Sequence, residues 1–484
     1  MTRSPDTDRS RWIALVVLCV GMLMIVLDAT VVNVALPSIQ SDLGFSQSSL
    51  AWVVNAYMIA FGGLLLLAGR LGDLISRRGV FLAGLGVFTL ASLAAGVAQA
   101  SGQLTTARAI QGLGGAILSP ATLTIITTTF KDGHSRTKAL GIWSSVGGAG
   151  GATGALFGGI LTGYLNWRWV FFVNIPIGAI ALALTLLVLT EERKLDSGRL
   201  DIAGAVTVTG GLALLVYAIV GTDTHPWGSA RTLVLIAAAA ALLAVFVFIQ
   251  AKIASHPLMP LSLFRSRPLS AANLTMFLVG AGFFAMWFFL TLYLQVVHGY
   301  GPLKAGLLFM PMGLTIVVGA QASVRLVGRF GSGAVLMGAL LVAAGGFFWI
   351  SQLHASSTYL AGVLPGTTLT SLALGLSFTP LAQIATSGVA PQMAGLASGM
   401  LNTSRQVGGS IGLAALATVA AARAKDLRHS TAVKQALTSG YDRAFLVAAV
   451  LMLAGFAVAS AIPRPRRAAP EPAIEPEVAL APLD

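Results

Sequence analysis

One carboxylate stands where a carboxylate is expensive. Asp28 lies in the stretch MLMIVLDATVVNVALPSI, Met22 to Ile39, and the chain before it is apolar from Ile13 to Leu27. A charged group deep in hydrocarbon costs about 2.5 to 3.5 kcal/mol on insertion scales, so its presence calls for a function or a partner. The chemistry open to such a group is reversible protonation. Of the 17 acidic residues, the others fall in tails or loops, or at segment edges as Asp73, Asp201 and Asp442 do, which leaves Asp28 alone inside an apolar segment. The six histidines lie in loops or at segment ends without metal-ligand spacing, so no metal site is expected. The single cysteine, Cys19, excludes an intrachain disulfide.

Two arginines also fall inside apolar segments. At about 1.5 Å of rise per residue, Asp28 sits about 22 Å from the inner boundary of a 30 Å core, and Arg108, entering from the outer side, sits about 6 to 9 Å deep. The two charges share a level. An adjacent arginine lowers a carboxylate pKa while desolvation raises it, so the pair suits a proton-coupling site; a static ion pair that fixes helix packing is the alternative. Arg405, in LNTSRQVGGSIG, then has no embedded carboxylate left to it. Backbone carbonyls, water or an anionic ligand could face it.

The elements that must position these residues are membrane helices. With 484 residues, 56% hydrophobic and 10% charged, and a mean hydropathy of +0.84, the chain is an integral membrane protein. Fourteen apolar segments emerge, at roughly 13–36, 50–69, 80–99, 104–129, 138–162, 169–190, 202–220, 232–251, 271–296, 303–324, 333–353, 359–386, 396–422 and 443–462. The first lacks a small-residue cleavage site and reads as a retained helix rather than a signal peptide. The net charge of +13 follows the positive-inside rule and so does not point to nucleic acid. With the N-terminus in the cytoplasm, the external segments hold only Arg168, Arg231, Lys304, Arg423, Lys425, Arg428, Lys434 and Arg443 of the 30 basic residues. Both termini are then cytoplasmic, and the Pro- and Glu-rich end, 463–484, reads as a disordered tail.

Several stretches carry a recognisable pattern. GRLGDLISRRGV, Gly69 to Val80, is a turn in which small residues allow close helix contact, Asp73 can meet a helix N-terminus, and Arg77 and Arg78 face lipid or loop carboxylates. It resembles motif A of the major facilitator superfamily. LDATVVNVALPSI, RAIQGLGGAILSPAT with Arg108 and Gly112, NWRWVFFVNIPIG and LYLQVVHGYGPLKAGLLFMP are similar, in order, to stretches of its fourteen-span drug:proton antiporter branch. VGG at 146–148 and 407–409 hints at an internal repeat. The fifth segment departs from the branch: in GATGALFGG, Ala155 occupies the position where motif C usually has proline, although Gly147, Gly151, Gly154, Gly158 and Gly159 keep the small-residue spacing. Ser76 replaces a usual glycine of motif A.

The resemblance implies an all-α membrane protein of 14 transmembrane helices: a cytoplasmic N-terminus (1–12), a six-helix bundle (13–190), a linker with two inserted helices (191–270), a second six-helix bundle (271–462) and the tail. It implies proton-driven export of organic compounds by alternating access, without cofactor, from a bacterial cell membrane. In this frame Gly69, Gly72, Asp73, Arg77 and Arg78 form a conformational latch. The cavity candidates are Asn33, Asn55, Tyr57, Gln111, Trp143, Phe284, Trp287, Asn402, Arg405 and Gln406, a mostly apolar lining that suits amphiphilic, often cationic, small molecules. Protons and membrane lipid complete the expected partners of a monomer. No Gly-Lys pair exists to build a phosphate-cradling loop, so ATP does not drive the chain, and no nucleophile–base or paired-carboxylate constellation supports an enzyme. A proton-independent facilitator remains the rival, because the same fold could serve it, and an exporter of a lipid or siderophore would differ only in cargo.

Overall fold

A bilayer leaves the backbone only helices or a closed barrel, and this chain takes helices throughout. In the computed structural model, residues 8–74, 76–130, 132–189, 200–387, 389, 393–427 and 432–461 are described; the N-terminal residues before 8 and the 463–484 tail expected from sequence lie outside them. No strand occurs among the described residues. The helices are α1 (Asp8–Leu43), α2 (Trp52–Leu74), α3 (Arg77–Gly96), α4 (Ser101–Thr129), α5 (Gly133–Tyr164), the short α6 (Trp169–Phe172) leading into α7 (Asn174–Val188), α8 (Ile202–Val220) and α9 (Ala230–Phe248). The second half contributes α10 (Arg267–Leu292), α11 (Pro302–Phe330), α12 (Ser332–Ile350), α13 (Leu364–Thr386), α14 (Ala394–Leu427) and α15 (Val433–Ser460). Short connections make sequential helices antiparallel. The end of the bundle at which α1 stops and α2 starts is called upper here, the other lower.

Thirteen helices among the described residues are long and apolar enough to cross a membrane. The exception among the fourteen expected segments is α5, a 32-residue helix whose many glycines dilute its hydropathy. Sequence bounds fail most at α15. It begins at Val433, ten residues before the segment expected at 443, because Lys434, Gln435, Thr438 and Asp442 continue the helix past its apolar stretch. Asp442 is therefore inside a helix and not at its edge, and Asp28 is not the only carboxylate within the spans. Turn chemistry is local: Asp132, Asp201 and Ser229 cap α5, α8 and α9, and Gly331, at φ 82°, turns the chain from α11 into α12 in a conformation that favours glycine.

Glycines bring the helices to backbone contact. On α5, Gly154 and Gly158 lie against Thr30 and Val31 of α1, and Gly147 against Met22. On α14, Gly408 and Gly412 lie in the same way against Phe277 and Ala281 of α10. The two VGG stretches thus belong to equivalent helix pairs, as an internal repeat requires. Between the halves, Gly159 of α5 meets the Pro302 carbonyl and Leu303, and Gly306 of α11 meets the Ala155 carbonyl. With Ala155 in place of proline, α5 runs unbroken through this crossing. The upper end is further closed where Gln295 donates to the Val34 carbonyl (2.8 Å) and Gln47 to the Tyr441 hydroxyl (3.4 Å). A second seam joins α2 to α14, with Gly62 against Gln406 and Leu66 against Gly399. Against that seam stands α8: Leu212, Val216 and Ile219 pack with Ile59 of α2 and Ala414 of α14, and Thr418 donates to the Ile219 carbonyl (3.2 Å).

A Cβ at Gly159 would stand 2.6 Å from the Pro302 oxygen, whereas one at Gly163 would meet Leu303 at an ordinary 3.5 Å. Overpacking of this kind costs about 1–3 kcal/mol, enough to depopulate the upper-closed state about fivefold or more. Gly159→Ala should raise labelling of an upper-end cysteine on α11 by an impermeant maleimide, and Gly163→Ala should not. Equal labelling of the two variants would show that this crossing does not hold the upper end shut.

Candidate functional site

Asp28 and Arg108 form a salt bridge, Arg108 Nη1 to Asp28 Oδ2 at 2.5 Å, with side chains 0% and 2% exposed. A buried charge is tolerated when it is paired and its remaining hydrogen-bonding capacity is filled. Four elements supply that capacity. Gln111, one turn along α4 from Arg108, donates through Nε2 to Asp28 Oδ1 (2.7 Å) and to Ser92 Oγ of α3 (2.8 Å), while its Oε1 accepts from Arg108 Nη1 (2.6 Å). Arg108 Nε donates to the Val53 carbonyl of α2 (2.9 Å), and its guanidinium lies 4.5 Å from the Tyr57 ring centroid. Asn174, the first residue of α7, donates through Nδ2 to Asp28 Oδ1 at 3.4 Å. That places the positive end of the α7 dipole beside the carboxylate.

The knot contains residues that sequence reading passed over. Asn174 lies within NWRWVFFVNIPIG, so its stretch carried a signal even though the residue was not singled out. Ser92 and the Val53 carbonyl carried none. Gln111, expected in the cavity lining, is wholly buried and hydrogen-bonded inside the knot. In the same NWRW stretch, Trp167 Nε1 and Arg168 Nη1 donate to Asp42 Oδ2 at 2.9 and 2.7 Å, and Arg168 Nη2 donates to the Ala98 carbonyl, tying the upper ends of α1 and α3 together.

The other candidates separate into groups. Tyr57, Phe284, Asn402 and Arg405 come together: Arg405 Nη2 donates to Asn402 Oδ1 (3.0 Å), its guanidinium is 6.0 Å from the Phe284 ring, and it lies within electrostatic reach of the Tyr57 hydroxyl. Gln406 is buried with its Cβ on Gly62. Asn55, fully buried on α2, has no partner for either side-chain polar atom. Asn33 donates to its own helix at the Ala29 carbonyl (2.9 Å), Trp287 stacks on Phe309 at 5.1 Å, and Trp143 Nε1 is buried without a partner. At the lower turn, Arg78 Nη2 donates to the Leu186 carbonyl at the end of α7 (3.1 Å), a bond within the first half rather than between halves. Gly69 faces Pro120 at 3.9 Å; the side chains at Gly72 and Asp73 lie outside the described residues. Asp442 has a buried Oδ1 without a hydrogen-bond partner. No cluster of metal-binding side chains occurs among the described residues.

The described helices, thirteen of them long and apolar enough to cross a membrane, define a multi-pass membrane protein. The chain belongs to the Major Facilitator Superfamily, whose model matches residues 18–413. It is a transporter and not an enzyme. It is similar to the cephamycin export protein CmcT of Amycolatopsis lactamdurans, at 44% identity over 94% of this chain and 93% of that protein. The puromycin resistance protein pur8 of Streptomyces alboniger is 40% identical over 85% of this chain and 82% of its own. Among solved structures, a bacterial homologue of the human lysosomal transporter Spinster, in an inward-facing and unoccupied conformation, superposes with a TM-score of 0.65. That match is 17% identical over 94% of this chain and 97% of the other, a likeness of fold alone.

Removing one partner of a buried ion pair costs about 3–5 kcal/mol, whereas replacing both by apolar residues is often nearly neutral. Arg108→Met alone should therefore lower the thermal unfolding midpoint in detergent well below that of the double variant Asp28→Leu/Arg108→Met. A double variant no more stable than the single would show that the carboxylate's other donors, not Arg108, hold it.

Proposed function

We propose that this protein is a proton-driven exporter of hydrophobic or amphiphilic organic compounds, with 14 spans arranged as two six-helix bundles (13–190 and 271–462) and α8–α9 inserted between them. It works by alternating access in a bacterial cell membrane, with both termini cytoplasmic and the upper end external. The observation that carries this reading is the Asp28–Arg108 pair, buried in a family of transporters whose similar members are named for antibiotic export and resistance. Asp28 is the proton carrier. In the upper-closed state its carboxylate is held by Arg108, Gln111 and Asn174. Protonation removes the charge that Arg108 neutralises, so the contact between α1 and α4 loses its strongest attraction and the helices can rearrange. The proton is taken up from the external side in the upper-open state and released to the cytoplasm in the upper-closed state, where the pair re-forms, so each proton that enters is exchanged for a substrate molecule that leaves.

The test uses Asp28→Asn, which keeps the shape and removes the titratable group, beside Asp442→Asn for the second carboxylate within a span. Export driven by a pH gradient in inverted vesicles should fall to the background rate in Asp28→Asn, with ligand binding retained, and should persist in Asp442→Asn. Undiminished gradient-driven export by Asp28→Asn would sink the assignment. It would favour Asp442 as the carrier if that variant alone failed and another group if neither did, whereas export by wild type that ignores the pH gradient would favour a proton-independent facilitator.

A further inference from the structure

The two arginines inside the spans are unequal. Arg108 is satisfied by a carboxylate, an amide oxygen, a carbonyl and an aromatic face. Arg405 is part-buried in α14 and makes one side-chain hydrogen bond, to the neutral Asn402 of its own helix, with no ion pair among the described residues. A guanidinium carries five N–H donors and cannot be deprotonated in a protein, so a charge placed this way needs a counter-charge from elsewhere. A second group is unspent beside it. The Tyr57 hydroxyl is buried without a hydrogen-bond partner and lies within electrostatic reach of Arg405, while the ring of the same residue covers Arg108. Apolar surface flanks the pair: Phe61 stacks on Tyr57 at 5.8 Å, and Phe284 and Met58 converge on Gly409, one helical turn along α14 from Arg405.

We propose that Arg405 and the Tyr57 hydroxyl form a subsite for an anionic group, a carboxylate or its equivalent, on an amphiphilic substrate whose apolar body lies against Phe284 and Phe61. This rests on the export reading above and names its substrate class. The planar guanidinium fork matches a carboxylate in geometry as well as charge, and the tyrosine adds a neutral donor. The placement of Asp28 points the same way. Both of its oxygens are engaged by Arg108, Gln111 and Asn174, so in this state a cationic substrate finds no free carboxylate at Asp28. The subsite favours an anionic group, whereas an embedded carboxylate taken alone suggests cationic cargo. The Tyr57 ring also packs on Arg108, so an anion that engages the Tyr57 hydroxyl acts on a residue that packs on the proton-coupling pair.

The experiment is equilibrium binding of pyrenebutyrate and of its methyl ester to the purified full-length protein in nanodiscs, followed by quenching of tryptophan fluorescence. Hydrogen bonds to a charged group contribute about 1.5–3 kcal/mol, so wild type should bind the acid about tenfold or more tightly than the ester. Arg405→Gln should abolish that preference, Arg405→Lys should keep part of it, and Tyr57→Phe should reduce it a few-fold. Equal binding of acid and ester by wild type, no binding of the acid, or an unchanged preference in Arg405→Gln would overturn the subsite. The acid-to-ester ratio is independent of energy coupling. Gradient-driven movement of the ester by wild-type protein tests the export reading separately, so either can fail while the other stands.

Discussion

The arrangement of the first half is governed by the cost of keeping one carboxylate out of water. Asp28 is tolerated because α4 supplies a guanidinium and an amide, α7 a second amide, α3 a hydroxyl behind the first amide, and α2 a carbonyl and an aromatic face for the arginine. Each donor fixes a helix in rotation and in height relative to α1, since a displacement of one residue would turn its side chain away. Four neighbouring helices are thereby indexed to one atom group. Helices in lipid gain little from apolar contact with one another, so such a network and close packing must carry the specificity.

Close packing is the second constraint, and its material is glycine. The pairs α1–α5 and α10–α14 approach until backbone meets backbone, and the same device at Gly159 and Gly306 is used between the halves. Contacts made through backbone leave few side chains to repack, so two halves joined this way can part and meet without rebuilding a core. The α8 helix adds an unusual element: it touches α2 and α14 together, through Ile59 and Ala414 and through the Thr418 bond to the Ile219 carbonyl, on the outer side of the seam. Any rocking of one half against the other must slide at least one of those faces.

The residues within the spans divide by what neutralises them. Arg108 is neutral in effect and Arg405 is not, and the ring of Tyr57 packs on the first. Charge placed so is costly unless something arrives to pair with it, which is the thermodynamic reason to look for cargo at Arg405 and for protons at Asp28.

The sequence by itself determined the properties that a single chain has in lipid before its helices meet: the helices, their approximate limits, the odd carboxylate, and one arginine, Arg108, at a compatible depth. Those depend on hydropathy, on the fixed rise of a helix and on the rarity of charge in hydrocarbon, all local quantities. The motif stretches also marked the superfamily. Tertiary structure decided which polar groups meet. That Gln111 binds Asp28, that Ser92 and Asn174 complete the knot, and that Tyr57 packs on Arg108 depend on helix rotation set by neighbours far apart in sequence. Asp442 was misplaced for a related reason: once neighbouring helices and turns support it, a helix can run on through polar residues, and a hydropathy boundary does not see its end.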